Sequence, residues 1–148
     1  MRPESKGSIH IKTADASVQP AIRFNFLAES IDRECLTATM RIVRRLMAAP
    51  ALQWIEPEEF APGPQAQSDD QLIDFCARTA ETTYHPVGTC KMGSDPAAVV
   101  DDRLRVRGIA NLRVADASIM PTLTSGNTNA PSIMIGEKAA AMVLQDAA

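Results

Sequence analysis

Apolar and polar residues alternate in two short segments near the start of the chain. In residues 7–13 two isoleucines stand between polar neighbours, and in residues 21–26 apolar side chains again occupy every second position. This period of two is typical of strands with one buried face. Because turn-forming residues separate the two segments, we expect them to pair as antiparallel neighbours.

Three longer segments show the three-to-four-residue spacing of amphipathic helices. The first covers residues 30–49 and stops before a proline, which cannot continue a helix. The second follows Ser68, whose Ser-x-x-Gln pattern predicts a capping box. The third covers residues 130–144, with Asn129 as its expected N-cap and Pro131 in its first turn. The predicted buried positions are Leu36, Met40, Val43 and Met47, then Leu72, Phe75, Cys76 and Thr79, then Met134, Ile135, Ala139, Met142 and Val143.

One further apolar run, residues 112–115, predicts a compact strand before the last helix. A chain of 148 residues fits one domain, so we expect residues 1–148 to form a single domain.

Charge and cysteine usage restrict the classes of function. A net charge of -3 offers no basic face for neutralising phosphates, so we expect no nucleic-acid partner. No apolar run approaches the roughly 20 residues that span a bilayer, so no membrane span is expected. The first residues lack the apolar core of a signal peptide, and three widely spaced cysteines do not suggest a disulfide framework. We therefore expect a cytoplasmic protein with reduced thiols.

His85 is one of two histidines and precedes a Pro-Val-Gly turn. Imidazole titrates near neutral pH, so this side chain can serve as a general acid or base. From spacing alone, a buried histidine with a structural hydrogen bond is the more common role. A metal site needs at least three ligands, and His85 with Cys76 and Cys90 lacks any short-spaced pair, so we expect no metal.

Asn127 and Asn129 stand at the start of the last predicted helix. A helix N-terminus presents unpaired N–H groups and partial positive charge, which favour an anion or a polarised carbonyl. The N1–C2=O edge of a reduced flavin has this character. Capping explains one asparagine comfortably and explains two less well.

Three ordered blocks resemble one known family. They read Tyr-His-Pro-Val-Gly-Thr-Cys-Lys-Met-Gly at 84–93, Leu-Arg-Val-Ala-Asp-Ala-Ser at 112–118 and Ser-Gly-Asn-Thr-Asn-Ala-Pro at 125–131. Together they resemble the C-terminal, substrate-side part of the glucose–methanol–choline (GMC) oxidoreductases, in the choline-dehydrogenase-like branch. The resemblance implies an α+β fold, with an antiparallel sheet backed by helices and the helix of residues 30–49 packed on one face of that sheet. Residues 1–83 would supply the strands and helices of this substrate domain. The resemblance also implies that residues 84–148 carry the active-site motifs and the last strand and helix.

The resemblance implies roles for individual residues. His85 would be the base that takes the hydroxyl proton of a small primary alcohol as hydride leaves for flavin N5, giving an aldehyde. Asn127 would be the second active-site residue, donating a hydrogen bond to the developing alkoxide. Tyr84 would line the substrate site. Four residues would bind the cofactor FAD. Asp116 and Ala117 would lie against the flavin, and the backbone N–H groups of Asn129 and Ala130 would face its pyrimidine edge.

The family's pyrophosphate-binding motif, Gly-x-Gly-x-x-Gly, is absent from this sequence. We therefore expect a truncated product or part of a split gene that needs a missing FAD-binding half, and an isolated chain that retains no FAD and is inactive. An alternative is a non-catalytic remnant or interaction module, which self-associates as a homo-oligomer or complements a separate flavin-binding half. A third is an unrelated α+β domain with a coincidental match.

Overall fold

A computed structural model describes residues 2–147 of the chain. Its regular elements are β1, Ser8–His10; β2, Ala21–Arg23; α1, Ser30–Met47; α2, Asp69–Thr79; and α3, Asn129–Asp146. Two 3₁₀ helices cover Pro50–Ile55 and Ala117–Ile119. The described residues divide into two compact units, one of residues 4–7 and 22–81 and the other of residues 2–3, 8–21 and 82–147.

The strands β1 and β2 pair in the predicted antiparallel sheet, which confirms the α+β fold class. Each strand has three residues, and every one of them is exposed. The prediction of a half-buried strand over residues 21–26 was wrong in its extent, because β2 ends at Arg23. Beyond that end, the rings of Phe24 and Phe26 stack on each other with their centres 5.1 Å apart.

The unit of residues 4–7 and 22–81 is called the helical unit below, and within it α1 packs against α2. The exposed sheet offers α1 no buried face, so the expected packing of α1 on the sheet is replaced by this helix pair. Leu72 is fully buried, and the Cys76 sulfur lies 3.5 Å from the sulfur of Met40. Cys76 is thus the small core residue that its helix position predicted, and burial raises the pKa of its thiol. Two predicted core positions, Val43 and Thr79, are exposed.

The start of α2 matches the sequence pattern. The Ser68 hydroxyl accepts a hydrogen bond from the Gln71 backbone N–H at 3.2 Å, and the Gln71 side chain accepts one from the Ser68 N–H at 3.0 Å. This reciprocal pair confirms the predicted capping box. It satisfies two N–H groups at a helix start and fixes where α2 begins.

The other unit contains the second core. Its buried side chains are Val100, Leu104, Ile119, Met120, Ile135 and Ala139. Residues 112–115 do not form the predicted strand, because pairing there is limited to one antiparallel bridge between Arg113 and Arg105. Leu104, next to this bridge, has a left-handed backbone with φ of +64°, which interrupts regular extension.

Helix α3 packs on this core and on the 3₁₀ helix Ala117–Ile119. Ile135 and Ala139 are buried as predicted, whereas Met134 and Val143 are about half exposed, so their assignment to the buried stripe was wrong. Within residues 2–147, no helix combines the length and apolar character needed to cross a bilayer.

Candidate active site

Backbone hydrogen bonds hold the first motif against the second. The Cys90 N–H donates to the Ser118 carbonyl at 3.0 Å, and the Met92 N–H donates to the Ile119 carbonyl at 2.8 Å. Ile119 is buried in the core, so these bonds anchor residues 84–93 to a rigid support. The blocks at 84–93 and 112–118, which are separated in sequence, therefore lie side by side.

The backbone conformation at residue 88 explains why the first motif has a glycine there. Its φ is +86°, a conformation that side chains with a β-carbon rarely adopt. A β-carbon at this position would also lie 3.3 Å from the Met120 carbonyl oxygen. A side chain at residue 88 would therefore both strain the turn that follows His85 and crowd the backbone at residue 120.

His85 connects the first motif with the third. Its imidazole is partly buried, and Nδ1 lies 2.9 Å from Oγ1 of Thr128. Thr128 is itself 8% exposed, so this contact is largely shielded from water. Because Thr128 directly follows Asn127, the hydrogen bond brings His85 to the segment that carries the second predicted active-site residue.

The start of α3 differs from the prediction. Thr128, and not Asn129, is the N-cap, and Asn129 is the first helical residue. Thr128 gives no side-chain hydrogen bond to the first turn. The backbone of Thr128 is helical, with φ of -84° and ψ of -1°, whereas side-chain caps typically have an extended backbone, and its hydroxyl contacts His85 instead. Pro131 lies in the first turn, as predicted.

This helix start suits the pyrimidine edge of a flavin. Asn127, Asn129 and Ala130 are exposed, and the first turn lacks a side-chain cap. The N–H groups of Asn129 and Ala130 are therefore open to an acceptor brought to this end, where the helix dipole also favours negative charge. Pro131 has no N–H, so the donors come from the residues before it. The residues present fit FAD.

Asp116 and Ala117 lie at the adjoining 3₁₀ helix. The Asp116 carboxylate accepts a hydrogen bond from the Ser118 N–H at 2.8 Å and thereby caps this helix. Ala117 packs against the core of the unit. The exposed Asp116 backbone and side chain remain accessible to a ligand on one side.

Tyr84 is 77% exposed, and its backbone is left-handed with φ of +59°. A bulky residue in this region is an outlier, and such conformations typically cost about 1–3 kcal/mol. The conformation turns the chain immediately before His85. Strained backbone of this kind is concentrated at functional sites.

Ion pairs hold the C-terminal end of α3 in place. The Asp146 carboxylate pairs with the guanidinium groups of Arg103 and Arg113. The hydrogen bond from Arg113 chiefly holds the pKa of Asp146 below its ordinary value, against an opposing effect of burial and with a further hydrogen bond from Arg103. These pairs tie the C-terminal turn of α3 to residues 103–113.

The structure thus brings together the three sequence blocks, with His85 against the residue between Asn127 and Asn129. Sequence reasoning missed Thr128, since a threonine between two asparagines carries no periodic or charge signal. Among residues 2–147, no group of three His, Cys, Asp or Glu side chains converges as a metal site would require. Cys35, Cys76 and Cys90 are free thiols.

Comparison with known proteins finds enzymes that are similar in sequence to this chain. A family model described as GMC oxidoreductase matches residues 3–136. The alcohol dehydrogenase [acceptor] of Pseudomonas putida is 47% identical over 143 residues, covering 97% of this chain and 26% of that protein. The oxygen-dependent choline dehydrogenase of Cronobacter sakazakii is 49% identical over 140 residues, covering 95% of this chain and 25% of that protein.

Solved structures agree with these sequence matches. Pyridoxine 4-oxidase from Mesorbium loti superposes with a TM-score of 0.84 at 36% identity, covering 94% of this chain and 27% of that one. A FAD-dependent oxidoreductase from Chaetomium thermophilum gives a TM-score of 0.91 at 26% identity, covering 99% of this chain and 26% of that one. The chain spans about a quarter of the length of the relatives it matches.

Proposed function

Because this chain belongs to the GMC oxidoreductase family, we propose that it forms the substrate-side part of a FAD-dependent site that oxidises a small primary alcohol to an aldehyde. The observation that carries the proposal is the hydrogen bond between His85 and Thr128, beside Asn127. This contact supports the proposal because Asn127, which carries a carboxamide, directly precedes Thr128 at a helix start without a side-chain cap. An alcohol oxidation needs a proton acceptor and a donor to the reacting oxygen in such proximity.

His85 acts as the general base. Its Nδ1 is engaged with Thr128, so Nε2 is the nitrogen that takes the alcohol's hydroxyl proton. Asn127 donates its amide hydrogen bond to the same oxygen as negative charge develops there. Removing one such donor typically costs about 3 kcal/mol of transition-state stabilisation. Tyr84, exposed beside His85, lines the substrate site.

FAD, when bound, supplies the hydride-accepting chemistry. On this chain, the N–H groups of Asn129 and Ala130 at the start of α3 would hold its pyrimidine edge. Asp116 and Ala117, at the start of the adjoining 3₁₀ helix, would lie against it. All four residues would contact the ring system, and none of them belongs to a pyrophosphate-binding motif.

The remaining part of FAD requires a second segment. The sequence contains no Gly-x-Gly-x-x-Gly motif for the pyrophosphate. Helix α3 also exposes apolar side chains away from its core face, with Ile133 at 61% and Leu144 at 72% exposure. Exposed apolar surface of this kind marks a contact site, and we assign it to a FAD-binding half. The isolated 148-residue chain is accordingly inactive.

A spectroscopic experiment tests this proposal. The matching C-terminal quarter of the Pseudomonas putida alcohol dehydrogenase is replaced by this chain, and visible spectra are recorded before and after anaerobic addition of a primary alcohol. We expect a yellow hybrid that the alcohol bleaches, and a colourless isolated chain. A yellow hybrid that no primary alcohol bleaches would contradict the proposed chemistry, whereas an isolated chain that binds FAD and bleaches would contradict the need for a second segment.

A second candidate is a non-catalytic module that self-associates. The helical unit favours it by exposing large apolar side chains, with Trp54 at 81% and Phe60 at 101% exposure. Size-exclusion chromatography with light scattering distinguishes this candidate, because a monomer at all concentrations contradicts it. The three free thiols support a reducing, cytoplasmic location for either function.

A further inference from the structure

We propose that Thr128 is a positioning residue that holds His85 in its Nδ1–H tautomer and so keeps Nε2 free to accept a proton. This inference rests on the proposed function for its catalytic meaning, but it concerns a hydrogen bond within the chain. Neutral imidazole carries one proton, on either nitrogen, and the partner of one nitrogen determines the state of the other. The partner of Nδ1 here is the Thr128 hydroxyl, at 2.9 Å.

The direction of this hydrogen bond follows from what a general base must do. If the Thr128 hydroxyl donated to Nδ1, the ring proton would be on Nε2, and Nε2 would then have no lone pair with which to accept the proton of the alcohol. If Nδ1–H donates to the hydroxyl oxygen, Nε2 keeps its lone pair. The same bond then persists after proton uptake, because both ring nitrogens of imidazolium are donors. A hydroxyl oxygen thus supports the ring in both protonation states.

Thr128 is well placed for this task. It is 8% exposed, so water competes weakly for its hydroxyl. Its carbonyl accepts hydrogen bonds from the Ser132 N–H at 3.0 Å and from the Ser132 hydroxyl at 2.6 Å, which fixes the residue in the first turn of α3. Its β-branched side chain has few accessible χ1 rotamers. The hydroxyl is not used to cap the helix, although Thr128 occupies the N-cap position.

The chain offers a direct test with an internal reference. It has two histidines, and His10 is exposed in β1. In the ¹⁵N-labelled 148-residue chain at alkaline pH, two-bond ¹H–¹⁵N correlations report the tautomer of each ring. We expect the ratio of Nδ1–H to Nε2–H forms to be higher in His85 than in His10 by about fivefold or more, as a net hydrogen bond of ordinary strength produces.

Two variants complete the test. Thr128→Val keeps the shape and removes the hydroxyl, so the His85 ratio falls toward that of His10. Thr128→Ser restores the hydroxyl and returns the ratio toward the wild-type value. A wild-type His85 that is mainly in the Nε2–H form overturns the inference without any variant, as does an unchanged ratio in a folded Thr128→Val chain. None of these measurements requires flavin, so failure of the alcohol-oxidation proposal is detected separately by the bleaching experiment.

Discussion

Gly88 lies against the carbonyl oxygen of Met120, so closely that a β-carbon on Gly88 would be 3.3 Å from that oxygen. The left-handed φ of Gly88 adds to this constraint. We expect Gly88→Ala to lower the free energy of unfolding by about 1–3 kcal/mol, because the new methyl group faces both strain and crowding. Urea unfolding followed by circular dichroism measures the change.

Gly136 provides the matched control. It lies in the middle of α3, and a β-carbon there would meet nothing within 4 Å. Gly136→Ala is expected to raise the free energy of unfolding by about 0.5–1 kcal/mol, because alanine is the better helix former. If both substitutions changed stability in the same direction, the assigned role of Gly88 would be incorrect.

Leu104 combines a buried side chain with a left-handed backbone. It is 4% exposed, and its φ is +64°. Leu104→Ala should cost about 2–5 kcal/mol, as other large-to-small core substitutions do. Alanine retains a β-carbon that costs roughly 1–2 kcal/mol in this conformation, whereas glycine does not.

We therefore expect Leu104→Gly to be at least as stable as Leu104→Ala in thermal unfolding. Ala139→Gly, in the middle of α3, is the control. There we expect the chain with glycine to be less stable than the chain with alanine, because glycine is the poorer helix former. A Leu104→Gly chain less stable than Leu104→Ala would show that position 104 is not left-handed.

The Asp146 pairs predict a pH dependence. Hydrogen bonding from Arg113 lowers the pKa of Asp146 below its ordinary value of 3.8. The pairs therefore stabilise the chain fully above pH 3.8, and this stabilisation is lost as pH falls through the lower pKa of the folded state. Asp146→Asn is thus expected to be less stable than wild type near neutral pH and similar to it in strong acid.

Urea midpoints across this pH range check the prediction. Asp102→Asn serves as the control, since Asp102 is exposed and takes part in no ion pair among residues 2–147. A stability difference for Asp146→Asn that persisted unchanged into strong acid would exclude the carboxylate as its source.

The capping box of α2 predicts a local effect. Ser68→Ala removes the hydroxyl that accepts from the Gln71 N–H, and we expect a loss of about 1 kcal/mol in the free energy of unfolding. Thr79→Ala, at the other end of the same helix, should not destabilise, because alanine has the higher helix propensity. Equal losses at both ends would mean that the cap contributes nothing specific.

Local signals predicted most of the helices. The capping box at Ser68 and the proline in the first turn of α3 are short-range patterns, and both are where the sequence indicated them. Helix boundaries shifted by one or two residues, as at Met47. The antiparallel pairing of β1 and β2 also followed from alternation and from the turn-forming residues between the two segments.

Tertiary contacts explain what the sequence did not reveal. The apolar run at residues 112–115 has the composition of a strand, but left-handed residues on its partner segment limit pairing to one bridge. Asn129 has the chemistry of an N-cap, yet Thr128 takes that position, and the Thr128 hydroxyl lies within hydrogen-bond distance of His85, 43 positions away in sequence. No local pattern encodes such a contact.

The rate of flavin reduction tests the role of His85 most directly. In the hybrid that joins this chain to the flavin-binding part of the Pseudomonas putida enzyme, bleaching by a primary alcohol is followed anaerobically in a single turnover. We predict that His85→Ala slows bleaching by about 10²–10⁴-fold, the usual contribution of a general base, whereas His10→Ala leaves it unchanged. Bleaching by His85→Ala at the wild-type rate across pH would contradict the assignment of His85 as the base.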